Sequence, residues 1–190
     1  MTLNTHTAGI ARLFGIAALS LALAGCGFQL RGAPPVPPGL QPLAVSCVEQ
    51  IPVELCQAVK QQLELGDIDV RSADEADYLL RLQGFNEDRR ASAITAQAAA
   101  AEYTLRQIVT IEVLTREDLP LITETRLNSS ETYRFDETNV LAKQREEQEL
   151  RQQLFDRLAQ QIIFRLAPLT DARIAEIRKA AEEESSQDSR

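Results

Sequence analysis

Residues 77–83 read Asp-Tyr-Leu-Leu-Arg-Leu-Gln, and their alternation of apolar and polar side chains decides the fold. In an extended chain Tyr78, Leu80 and Leu82 point to one side, while the intervening arginine and the final glutamine point to the other. A strand with one apolar and one polar side is typically buried on a single face. The stretch therefore predicts a sheet that packs against a core on one side and faces water on the other.

Two later stretches repeat this period of two. One alternates from Tyr103 to Val113 and ends in a turn at residues 116–120, and the other runs from Leu121 to Phe135. We expect the three strands to form an antiparallel meander. Residues 43–48 predict a further strand ahead of them.

Apolar residues at helical spacing predict two helices. The shorter begins near Pro52 and ends at Gly66, and its apolar face is formed by Leu55, Val59 and Leu63. The longer covers Asn139 to about Leu166, and its apolar face is formed by Leu150, Leu154, Leu158 and Ile162. Pro168 ends this helix. On its surface, Lys143 and Glu147 have the spacing of a helical ion pair, which contributes only a few tenths of a kcal/mol.

Together these elements predict an α/β fold: a two-layer sandwich with two helices packed on one face of a four-stranded, largely antiparallel sheet. The sandwich domain spans residues 43–169. No helix is left for the other face of the sheet. We expect that face either to be polar enough for water or to be covered by a partner.

The first 25 residues are typical of a signal peptide. They contain no acid, a single cation at Arg12, and an apolar run too short for a comfortable membrane span. The run ends in Leu-Ala-Gly-Cys at residues 23–26, which resembles the bacterial lipobox, so we expect Cys26 to be lipidated after cleavage. Two acyl chains then anchor the protein stably. The alternative is a plain secretory signal followed by an unrelated cysteine.

The segments that flank the domain differ in composition. Residues 26–42 are rich in proline and are expected to form an extended, lipidated tether. In the lipoproteins that the lipobox resembles, Asp after the lipidated cysteine retains the protein in the inner membrane, so Gly27 favours the outer membrane. Residues 170–190 form an acidic, partly disordered tail, with one or two helical turns around Ile174 and disorder beyond Glu182.

Charge and composition exclude several functional classes. Without Arg12 the mature chain has 19 Lys and Arg against 28 Asp and Glu, so its net charge is −9 and nucleic acid is not an expected partner. The single histidine, His6, lies in the signal peptide, which leaves none for common zinc sites or a His-based triad. The sequence contains no Gly-rich phosphate loop or clustered acid pair. We therefore expect no cofactor, no metal and no catalysis.

Two pairs of residues leave alternatives open. Cys47 and Cys56 form either a disulfide, which an oxidising periplasm permits, or two buried free thiols. Arg89 and Arg90 precede an alanine-rich stretch at residues 91–101. They either bind phosphate groups or belong to a solvated hairpin.

Several stretches carry a family resemblance when they are taken together. Cys-Gly-Phe-Gln-Leu-Arg-Gly at residues 26–32 follows the signal, and Ala-Asp-Tyr-Leu-Leu opens a strand at Ala76. Ala-Glu-Tyr opens the next strand at Ala101, and Val-Leu-Ala-Lys starts the last helix at Val140. In order and spacing they resemble the LptE family of lipopolysaccharide-assembly lipoproteins. The resemblance extends to about Leu169 and does not include the tail.

The resemblance implies a non-enzymatic subunit at the periplasmic face of the outer membrane. Such a subunit plugs the β-barrel of LptD, assists assembly of that barrel and helps to insert lipopolysaccharide into the outer leaflet. The family also binds lipopolysaccharide through basic residues at the end of the sheet. Lys143 matches one of them, and the second has no match in residues 95–100. Arg89 and Arg90 lie nearby and are candidates to replace it.

Two other functions compete with this one. A free-standing periplasmic lipoprotein that binds lipid or lipopolysaccharide would need a deep apolar cavity, whereas aromatic residues make up only 5% of this chain. A periplasmic enzyme would need an inward cluster of ionisable groups, and the sequence does not indicate one.

Overall fold

The computed structural model describes residues 36–94, 100–135 and 140–188, which all belong to one compact unit. Within these residues a short 3-10 turn (Pro38–Leu40) precedes four strands and three α-helices. The strands are β1 (Leu43–Cys47), β2 (Tyr78–Ile94), β3 (Ala100–Thr115) and β4 (Pro120–Arg134). The helices are α1 (Val53–Leu65), α2 (Val140–Leu166) and α3 (Asp171–Asp188).

The strands form one sheet in the order β1-β2-β3-β4. β1 is parallel to β2, and β3 is antiparallel to both β2 and β4. This confirms the predicted fold class, with a four-stranded and largely antiparallel sheet. β1 is short and pairs only with residues 78–82 of β2. From Gln83 onward, the outer edge of β2 has no neighbouring strand among the described residues.

The long strands give the sheet two distinct ends. At one end, the base, Leu43 of β1, Tyr78 of β2 and Thr115 of β3 lie in register. At the other end, the tip, the β2–β3 ladder closes at Ile94 and Ala100. β2 has 17 residues, which at about 3.3 Å each place the tip roughly 55 Å from the base.

The solvated hairpin, one of the two alternatives for Arg89 and Arg90, corresponds to β2 and β3, which pair antiparallel as far as Ile94 and Ala100. Both residues lie inside β2, where they pair with Leu105 and Thr104 of β3. Alanine has a weak preference for strands, but a neighbouring strand that satisfies the backbone hydrogen bonds overrides it. The centre of the alanine-rich stretch, residues 95–99, lies outside the described residues.

The core lies between the inner face of the sheet and the helices α1 and α2. Alternate residues of β2 and β3 are completely buried there, among them Leu80, Leu82, Val109 and Ile111. They pack against the predicted apolar faces of the two helices, which include Leu55, Val59, Leu63, Leu158 and Ile162. Each such side chain contributes about 1.5–3 kcal/mol on full burial. The alternation that predicted the strands is therefore also what builds the core.

A bulge in β2 keeps this inner face continuous toward the tip. The β2–β3 register shifts between Leu82 and Gly84, so Phe85 takes the next inward position. Its ring lies 5.9 Å from the ring of Phe155 on α2, measured between centroids. Without the extra residue, every later side chain of β2 would point to the opposite face.

The third helix corrects the prediction for the tail. The sequence predicts disorder beyond Glu182, whereas α3 continues to Asp188. At its start the Thr170 hydroxyl accepts a hydrogen bond from the Arg173 backbone N–H, and Ile174 is buried in the core. Once the first turns are held in this way, the glutamate- and alanine-rich remainder continues as helix because both residues are good helix formers.

A disulfide joins Cys47 at the end of β1 to Cys56 in α1. It is the first of the two alternatives that the sequence leaves open. The bond closes the short connection that carries the chain from the sheet to the helical layer. Such a link stabilises a protein mainly by restricting its unfolded chain.

We expect the double variant Cys47→Ser, Cys56→Ser to lower the free energy of unfolding by about 2–3 kcal/mol, the loop-closure entropy of a connection of this length. Urea unfolding followed by circular dichroism measures the difference. Wild-type protein in reducing buffer is the control and should unfold at the same midpoint as the variant. Equal stability of the variant and the oxidised wild type would contradict the expectation.

Candidate functional site

Aromatic and charged side chains gather at the tip, on the same face of the sheet as the core. We define the tip cluster as Arg89, Tyr103, Tyr133, Phe135 and Glu147. The two tyrosines lie opposite each other in the β3–β4 register, with ring centroids 6.1 Å apart. Glu147 reaches the cluster from the first half of α2. The cluster therefore joins three strands to the long helix.

Arg89 extends over aromatic rings. Its guanidinium carbon lies 3.9 Å from the centre of the Tyr103 ring and 5.8 Å from that of Phe135. Tyr103 meets Phe135 edge-on at 5.3 Å, so the rings form a platform for the cation. The Arg89 side chain is 38% exposed and pairs with Glu147 at 3.2 Å. Because a guanidinium has five N–H donors, Arg89 keeps donors for a ligand.

Glu147 holds the tip cluster together because three donors converge on its carboxylate. Arg89 and the Tyr133 hydroxyl donate to Oε2 at 3.2 and 2.5 Å, and Arg151 donates to Oε1 at 2.7 Å. Burial of Tyr133, together with its hydrogen bond to Glu147, raises the pKa of the Tyr133 hydroxyl. The hydroxyl therefore remains a donor at neutral pH.

Arg151 links the tip cluster to the core. Its Nε donates to Glu87 at 2.7 Å, and Gln107 donates to the other oxygen of that carboxylate at 2.9 Å. Burial opposes the charge of Arg151, but hydrogen bonds and attraction from Glu87 and Glu147 outweigh it, so the pKa of Arg151 is raised. Gln107 is fully buried, and its Oε1 has no partner among the described residues. Toward the tip, where the apolar core ends, polar contacts therefore join the inner face of the sheet to α2.

Lys143 lies one turn before Glu147 on α2, but the ion pair predicted between them is wrong. Lys143 bonds Glu146 at 2.6 Å instead, since Glu147 already accepts from Arg89 and Arg151. Residues four apart on a helix lie on the same side. Lys143 therefore stands beside the tip cluster, and the structure brings two of the three predicted basic residues to one end of the sheet.

Arg90 is separated from Arg89 by the sheet. Successive residues of a strand point to opposite faces, so Arg90 lies on the outer face, where it pairs with Asp88 at 2.6 Å. Its side chain is 80% exposed. The sequence suggests one basic site at these two residues, whereas the structure divides them between two surfaces.

Other predicted features lie outside the described residues, namely Cys26, Gly27 and the signal peptide. Within the described ranges, His, Cys, Asp and Glu form no group of three or more that could hold a metal ion. In the same part of the chain, no helix has both the length and the apolar character needed to cross a membrane.

A cleft of about 480 Å³ opens beside the Glu87–Arg151 pair, between the start of α1, β2 and α2. Phe85 and Phe155 line it, but so do the carboxylates of Glu54 and Glu87. A carboxylate is costly to strip of water. The cleft therefore does not offer the apolar lining that an acyl chain requires.

The chemistry that the tip cluster offers is recognition of an anion. Its cations and those beside it are balanced by carboxylates: Arg89, Lys143 and Arg151 against Glu87, Glu146 and Glu147. Among them Arg89 combines exposure, an aromatic support and uncommitted N–H donors. A guanidinium of this kind suits a phosphate group, because its paired N–H donors match two phosphate oxygens.

The sequence indicated Arg89 and Lys143 but not the residues that position them. Glu147 and Arg151 have the spacing of a helical ion pair, which was a usable signal. Glu87 occupies an inward position of β2 at which alternation calls for an apolar residue. A polar residue at such a position indicates a buried partner.

Comparisons with known proteins agree with one another. A family model described as LptE, Lipopolysaccharide-assembly, matches residues 40–166. The LPS-assembly lipoprotein LptE of Yersinia enterocolitica is 33% identical over 174 residues, which cover 90% of this chain and 79% of that protein. The protein of the same name from Yersinia pestis is 32% identical over 171 residues, which cover 88% and 79%.

Solved structures share the fold at lower identity. Lipoprotein B from Nitrosomonas europaea aligns with a TM-score of 0.62 at 17% identity, covering 74% of this chain and 90% of that one. The rare lipoprotein B from Shewanella oneidensis aligns with a TM-score of 0.56 at 23% identity, covering 66% and 93%. The sandwich is therefore an architecture already seen in experimental structures.

Glu147→Ala is expected to lower the free energy of unfolding by about 2 kcal/mol or more, because the buried Tyr133 hydroxyl and two guanidinium groups lose their shared acceptor. Urea denaturation of the purified protein measures this loss. The matched control is Glu146→Ala, whose carboxylate is 43% exposed and pairs with Lys143. Removal of the Glu146 carboxylate should lower the free energy of unfolding by no more than about 0.5 kcal/mol. Similar losses in both variants would contradict the role given to Glu147.

Proposed function

Since the chain belongs to the LptE family of lipopolysaccharide-assembly proteins, we propose that it is a non-enzymatic subunit of the outer-membrane lipopolysaccharide translocon. In this role it plugs the lumen of the LptD β-barrel and assists assembly of that barrel. It also helps to deliver lipopolysaccharide to the outer leaflet. Relatives named as LPS-assembly lipoproteins support the envelope location and the lipid anchor.

The polar outer face of the sheet is the observation that carries the proposal. On β4 every outward residue of the regular ladder is exposed: Arg126, Asn128, Ser130, Thr132 and Arg134. The buried residues of α1 and α2 pack on the inner face, so no described helix shields these side chains. The lumen of a large barrel is polar. A plug with one polar face can be enclosed there while its own apolar core stays intact.

The tether supports a defined orientation. The end of the predicted tether is not extended: Pro38–Leu40 form a turn, and Val36 and Leu40 are buried in the core. The Asp77 backbone N–H bonds the Pro42 carbonyl at 3.0 Å where β2 starts, so the chain from Cys26 enters the domain at the base. With Cys26 lipidated, the ten Cα–Cα steps from Cys26 to Val36 span at most about 35 Å. The base then stays close to the membrane surface, and the tip can project into a partner along the length of the sheet.

For lipopolysaccharide, the contact that we propose is the tip cluster together with the neighbouring Lys143, so that Arg89 and Lys143 supply the cations. Lipopolysaccharide carries phosphate groups next to acyl chains. The large apolar side chains of Ile94 at the end of β2 and Leu141 at the start of α2 are also exposed. An end that combines cations, aromatic rings and exposed apolar groups suits such an amphiphile.

The competing function is a free-standing periplasmic carrier of lipid. It needs a cavity that can enclose acyl chains, and the cleft at Glu87 has carboxylates in its wall. This observation favours the plug.

A plug will copurify with the LptD of the same organism after detergent extraction and will elute with it as one species in gel filtration. Depletion of the chain should also reduce the amount of folded LptD, because assembly of the barrel then lacks its partner. Elution of the chain alone, together with normal LptD levels after depletion, would contradict the proposal and favour the carrier.

The double variant Arg89→Ala, Lys143→Ala should weaken lipopolysaccharide binding by about tenfold or more, since each charge-assisted hydrogen bond contributes roughly 1.5 kcal/mol. Isothermal titration calorimetry of the purified protein with lipopolysaccharide measures the affinity. The matched control is Arg90→Ala, a neighbouring arginine on the outer face, which should bind as the wild type does. If the control loses as much as the double variant, the tip cluster is not the binding site.

A further inference from the structure

The outer face of the sheet carries more positive charge than its own carboxylates neutralise. In the regular ladder its charged residues are five arginines and three carboxylates: Arg81, Arg90, Arg106, Arg126 and Arg134, with Asp88, Glu102 and Glu112. The chain as a whole has a net charge of −8. The charge of this face is therefore opposite in sign to the net charge of the protein.

All three carboxylates are already engaged. Their ion pairs are Arg81–Glu112 at 3.2 Å, Arg90–Asp88 at 2.6 Å and Arg134–Glu102 at 3.6 Å. Arg106 and Arg126 remain, and neither has an ion-pair partner within the part of the chain that the structure describes. Asp88, which lies across from Arg106 in the ladder, is bound to Arg90 instead. Glu124, an exposed carboxylate in the irregular part of β4, forms no ion pair with either of them. Two cations thus lack a bound counter-charge on an exposed surface.

Arg126 borders a depression of about 350 Å³ on this face, which Gly84, Asn86, Ile108 and Thr110 also line. Gly84 lies across from Thr110, which pairs in turn with Arg126. The space is open because Gly84 has no side chain: the nearest atom to a Cβ placed there would be Thr110 Oγ1 at 3.7 Å. One side chain of a partner can enter it and lie beside an arginine that lacks a counter-ion.

We propose that the outer face docks on an acidic protein surface. A carboxylate side chain of the partner occupies the depression beside Arg126, and a second acidic group meets Arg106. The inference rests on the proposed function and adds to it that the part of the barrel wall facing β2, β3 and β4 is acidic. Complementary charge across an interface sets both the register and the choice of partner.

The chemistry of this face favours a protein surface over a lipid. Its outward side chains between the arginines are hydroxyls and amides, such as Thr104, Asn128, Ser130 and Thr132, and the half-buried Ile108 is the main apolar group among them. Three strands of about 15 residues cover roughly 700 Å², close to the ~800 Å² that each partner contributes to a standard interface. A flat polar surface of this size suits a folded wall.

The test compares charge reversal on two surfaces of the lipidated, full-length protein. Arg106→Glu with Arg126→Glu should reduce copurification with the barrel protein by about tenfold or more, because two paired charges become two repulsions. The control is Arg145→Glu with Arg165→Glu, two exposed arginines of α2, which should retain the barrel within about twofold of the wild type. Circular dichroism checks that each variant folds.

The outcomes separate the docking inference from the proposed function. If the wild type does not copurify with the barrel protein, both fail. If the wild type copurifies and the reversed variant does so equally well, or the α2 control loses as much, the acidic docking surface is overturned while the plug stands. Loss of lipopolysaccharide binding with the barrel retained would overturn it in favour of a lipid.

A milder variant covers the case in which charge reversal prevents folding. Arg106→Gln with Arg126→Gln removes the charges without adding repulsion. A loss of copurification of about threefold or more then supports the acidic docking surface. If this variant copurifies with the barrel protein as well as the wild type does, the acidic docking surface is overturned.

Discussion

The two-residue period of the long strands is the constraint on which the rest of the molecule depends. Every second side chain of β2, β3 and β4 points to the same face of the sheet. The inward side chains must therefore pack against the helices, and the outward side chains must suit whatever lies against the outer face. The bulge between Leu82 and Gly84 keeps the inward positions of β2 in phase with the core as far as Arg89. Without it Phe85, Glu87 and Arg89 would face outward, and neither the core nor the tip cluster would form.

The same period explains how much of the fold could be predicted from the sequence. Apolar alternation marks the start of β2 and most of β3, and helical periodicity marks α1 and α2. The full length of β2 could not be predicted, because its inward residues beyond Phe85 are Glu87 and Arg89. These residues interrupt the apolar alternation, although pairing with β3 continues. The extent of α3 could not be predicted, because Ile174 and Ile177 are too few apolar positions to indicate a helix in so acidic a segment.

The basic residues of the candidate site were identified one by one, but their arrangement was not predictable. Arg89 and Arg90 are adjacent in the chain and lie on opposite faces of the sheet. Arg89 and Glu147 are 58 residues apart, and Glu87 and Arg151 are 64 apart, yet they form direct contacts. Local patterns encode spacing along one element, whereas such contacts depend on how β2 and α2 are brought together by the fold.

The short β1 leaves the main chain of β2 unpaired along its outer edge from Gln83 to Ile94, as far as the described residues show. An edge of this kind offers N–H and C=O groups to any passing strand, which is how fibrils begin to grow. Glu87 to Arg90 place four consecutive charges on it, two of them turned inward, and such charges discourage strand addition. The charged residues of β2 near the tip thereby also discourage aggregation of the chain through this edge.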